Sequence, residues 1–215
     1  MFEIELTGAG KRYNRHWVFR GIDRVLRSGD SLAVLGGNGS GKSTFIRSLI
    51  GFSPLSEGGL THRSEGKPLN PGAVYRHVSF CSPYLELYEE LTLAETAEFH
   101  FSLKPPRAGI TTKNFAEVIG LKHAADKAVH HFSSGMKQRL RIGLALLSAV
   151  DAVFLDEPTS NLDRAGEAWY EKMVAEHLDD RLVVVASNHR ETEYSFCKDR
   201  LEIEDFQHES PTPRR

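Results

Sequence analysis

One stretch of the sequence indicates most directly how the chain folds: Gly36-Gly37-Asn38-Gly39-Ser40-Gly41-Lys42-Ser43-Thr44. From Gly36 through Ser43 it fits the pattern G-x-x-x-x-G-K-[ST]. The apolar run at 31–35 predicts a buried strand before it, and apolar residues at helical spacing predict a helix after it. A strand, a glycine-rich loop and a helix in this order predict a loop that binds phosphate groups through backbone N–H groups and the helix dipole.

Two side chains at the end of this motif have predicted roles of their own. Lys42 supplies a mobile positive charge for the β- and γ-phosphates of a nucleotide, and the Ser43 hydroxyl is placed to bind Mg²⁺. A glycine-rich turn without a ligand would explain the glycines but not this lysine–serine pair. We therefore expect the whole stretch from Gly36 to Thr44 to contact a nucleotide.

A pair of acidic residues forms a second candidate element of the site. Asp156 and Glu157 end a stretch whose four preceding residues, 152–155, are apolar and predict a buried strand. Asp156 can hold Mg²⁺ through water, and Glu157 can orient or deprotonate an attacking water molecule. The alternative, a pair of solvated surface acids, is less favoured because the strand that carries the pair is so apolar.

The composition limits the classes of protein to which the chain can belong. With 27 basic and 29 acidic residues in a chain of 215, the overall charge gives no case for nucleic acid as a partner. Two distant cysteines, Cys81 and Cys197, argue against a disulfide scaffold and fit a reducing cytosol. No apolar run approaches the ~20 residues of a membrane span, and the alternating start is unlike a signal peptide. We expect a soluble chain that reaches a membrane only through a partner.

The order of predicted elements indicates an α/β fold, with a P-loop core, a small antiparallel β region and an inserted helical subdomain. Residues 1–91 form the first part of the ATP-binding core. Within them, an alternating pattern at 2–6 predicts an edge strand, and 74–80 predicts another strand. The Gly-, Ser- and Pro-rich stretch at 52–72 predicts loops with room for a hairpin.

Residues 92–131 form the predicted helical subdomain, because they contain no strand pattern. A capping box at 92–95 starts one helix, and two shorter helices are predicted at 111–119 and 121–127. The core resumes at 132–204 with a helix, the strand that ends in Asp156 and a further helix and strand. The polar tail at 205–215 is expected to fray.

A motif between the two site elements carries a family resemblance: Phe132-Ser133-Ser134-Gly135-Met136. With both elements around it, the sequence resembles the ATP-binding cassette (ABC) family across about residues 2–204. The family signature is Leu-Ser-Gly-Gly-Gln, which Ser133 and Gly135 match, while the other three positions differ. The resemblance implies that Ser133, Ser134 and Gly135 face the γ-phosphate of an ATP bound to the opposite subunit. Ser133 is also a predicted N-cap of the helix that follows.

Other segments resemble further family elements. Residues 160–163 resemble the D-loop, which in the family crosses the dimer interface. His189 resembles the switch histidine, which implies that it contacts the γ-phosphate and helps to hold the attacking water. Tyr13 resembles the aromatic residue that stacks on adenine, and Trp17 is the alternative.

One family element is replaced in this chain. The family places a glutamine after the strand that precedes the helical subdomain, where it touches Mg²⁺ and water and links the site to the transport partner. Ser82-Pro83 fills that place here. Ser82 can reach a metal-bound water, and Glu86 is a more distant candidate.

The loop at 82–91 is unusually apolar for a surface loop, with these residues: Tyr84, Leu85, Leu87, Tyr88 and Leu91. In the family, a groove between the core and the helical subdomain receives a short helix of the membrane subunit. We therefore expect this loop to dock a transmembrane permease. The alternative is that these side chains cover the core of the subdomain itself.

The resemblance implies an ATP-binding and ATP-hydrolysing subunit of an ABC transporter. Such a subunit dimerises, with a second copy or with a paired ABC ATPase, around two ATP molecules and Mg²⁺. It works on the cytoplasmic face of the membrane through its permease. Two other classes compete with this prediction: a soluble non-transport ABC ATPase of ribosome or DNA-repair complexes, and an unrelated P-loop kinase or GTPase, which the motif at 132–136 disfavours.

Overall fold

The computed structural model describes residues 1–207, which form two β-sheets and six α-helices. One sheet is antiparallel, and its four strands stand in the order β2-β1-β4-β5: β2 (His16–Arg27), β1 (Phe2–Tyr13), β4 (Glu57–Ser64) and β5 (Lys67–Pro68). This is the predicted antiparallel β region, and it includes the hairpin for which the sequence left room.

The second sheet is parallel throughout, with its five strands in the order β6-β7-β8-β3-β9: β6 (Val78–Cys81), β7 (Ala152–Asp156), β8 (Leu182–Ser187), β3 (Ser31–Leu35) and β9 (Asp199–Glu202). Because the strands run the same way, their carboxyl ends meet at one edge of the sheet. The loops that leave this edge carry most of the predicted site residues.

Both faces of the parallel sheet are covered, as the apolar runs of its strands predict. The helices are α1 (Lys42–Leu49), α2 (Leu93–Leu103), α3 (Thr112–Val118), α4 (Ser134–Leu146), α5 (Arg164–His177) and α6 (Glu191–Tyr194). Helices α4 and α5 share one hydrophobic cluster with alternate residues of the sheet, and α1 shares the other with the antiparallel sheet. The mixed α/β fold with a P-loop core is thereby confirmed.

The strand predicted at 2–6 is central and not at an edge, so that part of the prediction is wrong. Ile4 pairs with Leu26 on one side and with His62 on the other. Alternating polarity reports that one face of a strand is covered. It carries no information about whether both edges are paired.

Two further elements differ from prediction in a similar way. The segment Pro71–Arg76 forms a 3₁₀ helix capped by the Asn70 side chain, so the strand predicted at 74–80 begins only at Val78. The helix predicted at 121–127 is a 3₁₀ turn, Lys122–Ala124. The 3₁₀ turn Ile203–Phe206 includes the first two residues of the tail predicted at 205–215, and residues 208–215 lie outside the described part of the chain.

The helical part follows the sequence closely. Thr92 and Glu95 form the predicted capping box at the start of α2, with both reciprocal hydrogen bonds present. Phe101 of α2 packs edge-to-face on Phe115 of α3, with 5.3 Å between ring centres. Within residues 1–207, no helix is long and apolar enough to cross a membrane.

Candidate functional site

A cavity of about 290 Å³ opens where β3 runs into the glycine-rich loop and α1 begins. We call it the P-loop cavity, and among residues 1–207 its lining is Asn38, Gly39, Gly41, Lys42, Ser43, Thr44, Tyr84 and Glu157. Three predicted members of the loop lie beside it. Gly36 and Ser40 are buried, and the Gly37 N–H donates to the Glu204 carboxylate at 2.8 Å.

The first turn of α1 is open to an acceptor from outside the helix. Gly41 occupies the N-cap position with φ 101°, a conformation that favours glycine. A Cβ at Gly41 would lie 2.2 Å from Val18 Cγ1, so no larger residue fits against β2. Glycine has no side chain to accept from the first N–H groups of the helix, which therefore face the P-loop cavity as donors.

Lys42 is only 3% exposed, and its ammonium group is held by the loop itself. It donates to the carbonyls of Gly36 and Gly37, each at 2.9 Å, and lies 3.8 Å from Glu157 Oε1. An ammonium has three N–H donors. With two committed to the loop, the third is available to an anionic group in the cavity.

Asp156 is fully buried and bound at both oxygens. Ser43 Oγ donates to Oδ1 at 3.0 Å, and Ser82 Oγ donates to Oδ2 at 3.3 Å. The second contact follows from the pairing of the parallel strands. Cys81 pairs with Leu155, so Ser82, directly after β6, lies beside Asp156 at the end of β7. Burial raises the pKa of Asp156, an effect that the hydrogen bond from Ser43 opposes.

These oxygen donors fit a small, hard cation such as Mg²⁺, which prefers one or two protein oxygens together with phosphates and waters. Ser43 lines the P-loop cavity, and its hydroxyl connects the cavity to the buried carboxylate of Asp156. In the described part of the chain, no group of three or more His, Cys, Asp and Glu side chains could hold a metal ion. Mg²⁺ that is held by one or two protein oxygens takes its other ligands from phosphate and water.

Two predicted catalytic residues have backbones in the left-handed region. Glu157 has φ 44° and His189 has φ 54°, which is uncommon for residues other than glycine and concentrates at functional sites. Glu157 lines the P-loop cavity. His189 is half exposed, is not among the described residues that line the cavity, and has Nε2 3.8 Å from Glu202 Oε2.

The candidate adenine-stacking residues lie on the β1–β2 hairpin, outside the cavity lining. Tyr13 is 54% exposed, with Lys11 Nζ 5.1 Å from its ring centre. Trp17 is contacted by two guanidinium groups, those of Arg12 at 5.4 Å and Arg20 at 4.5 Å. Tyr13 therefore has the more accessible ring of the two.

The segment predicted to face a second subunit lies on the surface. Ser133 and Ser134 are exposed, and Ser133 caps α4 by accepting from the Met136 N–H at 3.2 Å, as predicted. A Cβ at Gly135 would lie 3.2 Å from the Asn161 carbonyl oxygen. The start of α4 thus packs against the predicted D-loop, and neither lines the P-loop cavity of its own chain.

Sequence analysis missed two residues, one that lines the P-loop cavity and one that connects the loops beside it. Tyr84, interpreted from the sequence as a docking residue, lines the P-loop cavity. Glu193, fully buried, accepts hydrogen bonds from the N–H and hydroxyl of Thr159 and from the Ser187 hydroxyl. The apolar loop that contains Tyr84 was recognisable in the sequence, but the sequence did not indicate that the Tyr84 side chain reaches the P-loop cavity. Glu193 had no sequence signal at all.

The family model described as ABC transporter matches residues 19–160, more than half of the chain. The cytochrome c biogenesis ATP-binding export protein CcmA of Rhizobium meliloti (strain 1021) is 30% identical over 208 residues, which cover 94% of this chain and 97% of CcmA. The linearmycin resistance ATP-binding protein LnrL of Bacillus subtilis (strain 168) is 29% identical over 94% of this chain. This chain spans 66% of LnrL, just under two thirds of its length.

A solved structure agrees with these sequence matches. The dimeric structure of MJ0796, a bacterial ABC transporter cassette, superposes with a TM-score of 0.78 at 20% identity and covers 94% of this chain and 95% of the other. At that identity the likeness shows the fold. With the family model, the relatives and the fold in agreement, this chain belongs to the ABC transporter family.

Proposed function

We propose that this chain is the ATP-binding and ATP-hydrolysing subunit of a transporter and works with a separate membrane permease. The observation that carries the proposal is the P-loop cavity, where Lys42, Ser43 and Glu157 face one space beside the open N-terminus of α1. Backbone donors, an ammonium group and a carboxylate around one space suit an anion that is attacked by water.

Hydrolysis in this site is an in-line displacement at the γ-phosphate. Glu157 orients a water molecule and takes its proton while the new P–O bond forms. The bond to the oxygen that bridges the β- and γ-phosphates breaks, and Lys42 stabilises the charge that develops on the phosphate oxygens. The short distance between Lys42 and Glu157, 3.8 Å, places the charge and the base on the same side of the cavity.

Ser43 and Asp156 are the residues that would hold Mg²⁺, with Asp156 acting through water. When bound, the ion neutralises charge on the β- and γ-phosphate oxygens. Ser82 holds the second oxygen of Asp156 and so fixes the plane of the carboxylate. In this chain Ser82 takes part of the place that the family gives to a glutamine.

The exposed start of α4 supports a dimer in which each nucleotide has residues of both subunits around it. Ser133 and Ser134 are exposed, none of the three signature residues lines the P-loop cavity of its own chain, and the Asn161 carbonyl lies close to Gly135. His189 lies at the same carboxyl edge of the sheet and would complete the nucleotide site when the two subunits close around it. The partner is a second copy of the chain or a paired ABC ATPase.

A specific surface favours transport over the soluble ribosome or DNA-repair alternative. Two adjoining cavities of about 390 and 320 Å³, which share Tyr88 and Glu90, form what we call the side groove. Tyr88 and Phe99 meet edge-to-face at its apolar end, 62% and 45% exposed. Exposed aromatic rings are typical anchors for a docked helix. The relatives named above are themselves resistance and export proteins.

The acidic rim of the side groove indicates the chemistry of its occupant. Glu86 and Glu90 are exposed there, whereas Glu89 is paired with Lys137. We expect a short permease helix with aliphatic residues on one face and basic residues beside them. Through that helix the chain would sit on the cytoplasmic face of the membrane.

Removing the two aromatic anchors tests this docking. The double variant Tyr88→Ser and Phe99→Ser should leave the membrane fraction, because two anchors of this kind contribute about 2 kcal/mol or more, equivalent to roughly a 30-fold loss of affinity. Its basal ATPase rate should stay unchanged, since neither residue lines the P-loop cavity. The measurement is co-purification with membranes alongside ATP turnover of the detached protein.

Leu103→Ser is the matched control, because Leu103 lies on the same helix as Phe99, is 63% exposed and does not line the side groove. This variant should remain with the membrane fraction. Unchanged membrane association of the double variant would refute docking at this surface. Retained association with a lower melting temperature would favour the alternative that the rings cover the helical subdomain.

A further inference from the structure

Tyr84 occupies an unusual position in the molecule. Its side chain lines the P-loop cavity together with Lys42 and Glu157, and it also lines the larger cavity of the side groove. The side chain is 75% exposed, so its hydroxyl is free to meet a ligand from either side. Tyr84 follows the end of β6, whereas the glycine-rich loop follows the end of β3.

The backbone that carries Tyr84 is a fixed turn. The Leu85 N–H donates to the Ser82 carbonyl at 3.1 Å, which closes the turn over residues 82–85. The Tyr84 N–H donates to Ser82 Oγ at 3.4 Å, and Pro83 restricts the backbone between them. Both ends of the turn are held, because Ser82 donates to Asp156 and Arg141 Nε donates to the Leu85 carbonyl at 2.7 Å.

This anchoring decides from which side Tyr84 approaches the cavity. Ser82 and Ser43 hold the two oxygens of the same carboxylate, that of Asp156. The turn therefore lies on the side of the cavity where Ser43 and Asp156 would hold a cation beside the terminal phosphates. The diphosphate of a bound nucleotide would lie over the first N–H groups of α1.

We propose that Tyr84 is a residue of the nucleotide site that binds the terminal phosphate of ATP through its hydroxyl. The phenol donates one hydrogen bond to a γ-phosphate oxygen, a bond that ADP cannot receive. Tyr84 thereby helps to distinguish the two nucleotides. Since the same ring borders the side groove, whatever fills the groove restricts where the hydroxyl can point.

Tyr84→Phe removes this hydrogen bond and keeps the ring. The affinity for ATP should fall by about 10-fold to about 100-fold, which is the size expected for one hydrogen bond to a charged acceptor. The affinity for ADP should not change. Tyr88→Phe is the matched control, because Tyr88 is an exposed tyrosine of the same loop that does not line the P-loop cavity.

The experiment is calorimetric titration of the full-length chain and both variants with ADP and with ATP at low temperature in the presence of Mg²⁺. The inference rests on the proposed nucleotide binding but not on the docking of a permease. A wild-type protein that binds neither nucleotide would overturn the proposed function and this role together. Equal losses for ATP and ADP, or an unchanged ATP affinity in Tyr84→Phe, would overturn the role of Tyr84 alone.

Discussion

The N-termini of α1 and α4 differ in what accepts hydrogen bonds from their first N–H groups. Each helix begins with N–H groups that have no partner within the helix. At α4 the Ser133 hydroxyl accepts from the Met136 N–H, so the chain supplies its own acceptor. At α1 the N-cap is Gly41, which has no side chain, and the helix start faces a cavity lined by Lys42.

The difference separates two kinds of site within one chain. The α1 side is assembled internally, with Asp156 buried and Lys42 held on two carbonyls. The α4 side is stable by itself and exposed, so it needs another surface to become part of a site. We expect substitutions on the α1 side to abolish chemistry, and substitutions on the α4 side to act through association.

The largest expected effect tests the α1 side, whose residues all come from one chain. Glu157→Gln removes the proposed base and keeps the shape of the side chain, so turnover should fall ~10²–10⁴-fold while ATP affinity is kept. The closed dimer should then accumulate with ATP and Mg²⁺. Steady-state ATPase assays and size-exclusion chromatography measure both outcomes.

Glu191→Gln serves as the control, because Glu191 is an exposed acid at the start of α6 and outside the P-loop cavity lining. It should hydrolyse ATP at the wild-type rate. Near-normal hydrolysis by Glu157→Gln would refute the proposal that Glu157 is the base. It would also contradict the expectation that substitutions on the α1 side abolish chemistry.

Features of the molecule also differ in how well the sequence predicts them. The P-loop and the acidic pair are local patterns in which spacing along the chain fixes spacing in space, so the places of Lys42, Ser43 and Asp156 were predictable. The capping box at Thr92 and the cap at Ser133 are local in the same sense. Such features depend on residues within one helical turn.

Features that depend on distant parts of the chain were not predictable. Strand β9, Asp199–Glu202, has one buried apolar residue and no alternation, because it is a short strand at the edge of the sheet. The position of Tyr84 depends on a turn that Asp156 and Arg141 hold from two other elements. No periodicity encodes contacts of this kind.

A second prediction separates the observed role of Ser133 as a helix cap from its proposed role at the nucleotide of a partner subunit. Ser133→Asp keeps a good helix cap but places a negative charge where a partner's γ-phosphate would lie. ATP-dependent dimerisation and turnover should fall at least about tenfold, since like charges in an interface cost several kcal/mol. The melting temperature of the free chain should stay close to wild type.

Ser133→Asn is the matched neutral variant, because asparagine caps helices about as well as serine. It should lose much less activity than Ser133→Asp. Analytical ultracentrifugation with ATP and thermal melting without it measure the two roles separately. If both variants dimerise like wild type, the exposed start of α4 is not part of a shared site.

The smallest expected effect concerns the contacts of Glu193, which connect the loop beside the start of α4 to the loop that carries His189. Glu193 joins Thr159, which precedes the predicted D-loop, to Ser187, which precedes the His189 loop, at distances of 2.5–3.0 Å. Glu193→Ala leaves buried donors unpaired and should cost about 1–3 kcal/mol of unfolding free energy. Turnover should fall by less than about tenfold, because Glu193 does not line the P-loop cavity.

Glu193→Gln sharpens this test through pH. Burial raises the pKa of Glu193 above its ordinary value, against the hydrogen bonds from Ser187 and Thr159. Its stabilising contribution is therefore complete below the ordinary glutamate pKa and is lost as pH rises through the raised pKa. Glutamine does not titrate and can keep the bonds to Thr159, while the Ser187 hydroxyl can rotate to accept from the amide. The melting temperature of wild type should thus fall relative to Glu193→Gln as the pH rises above the ordinary glutamate pKa, and a difference that stays constant with pH would contradict the raised pKa.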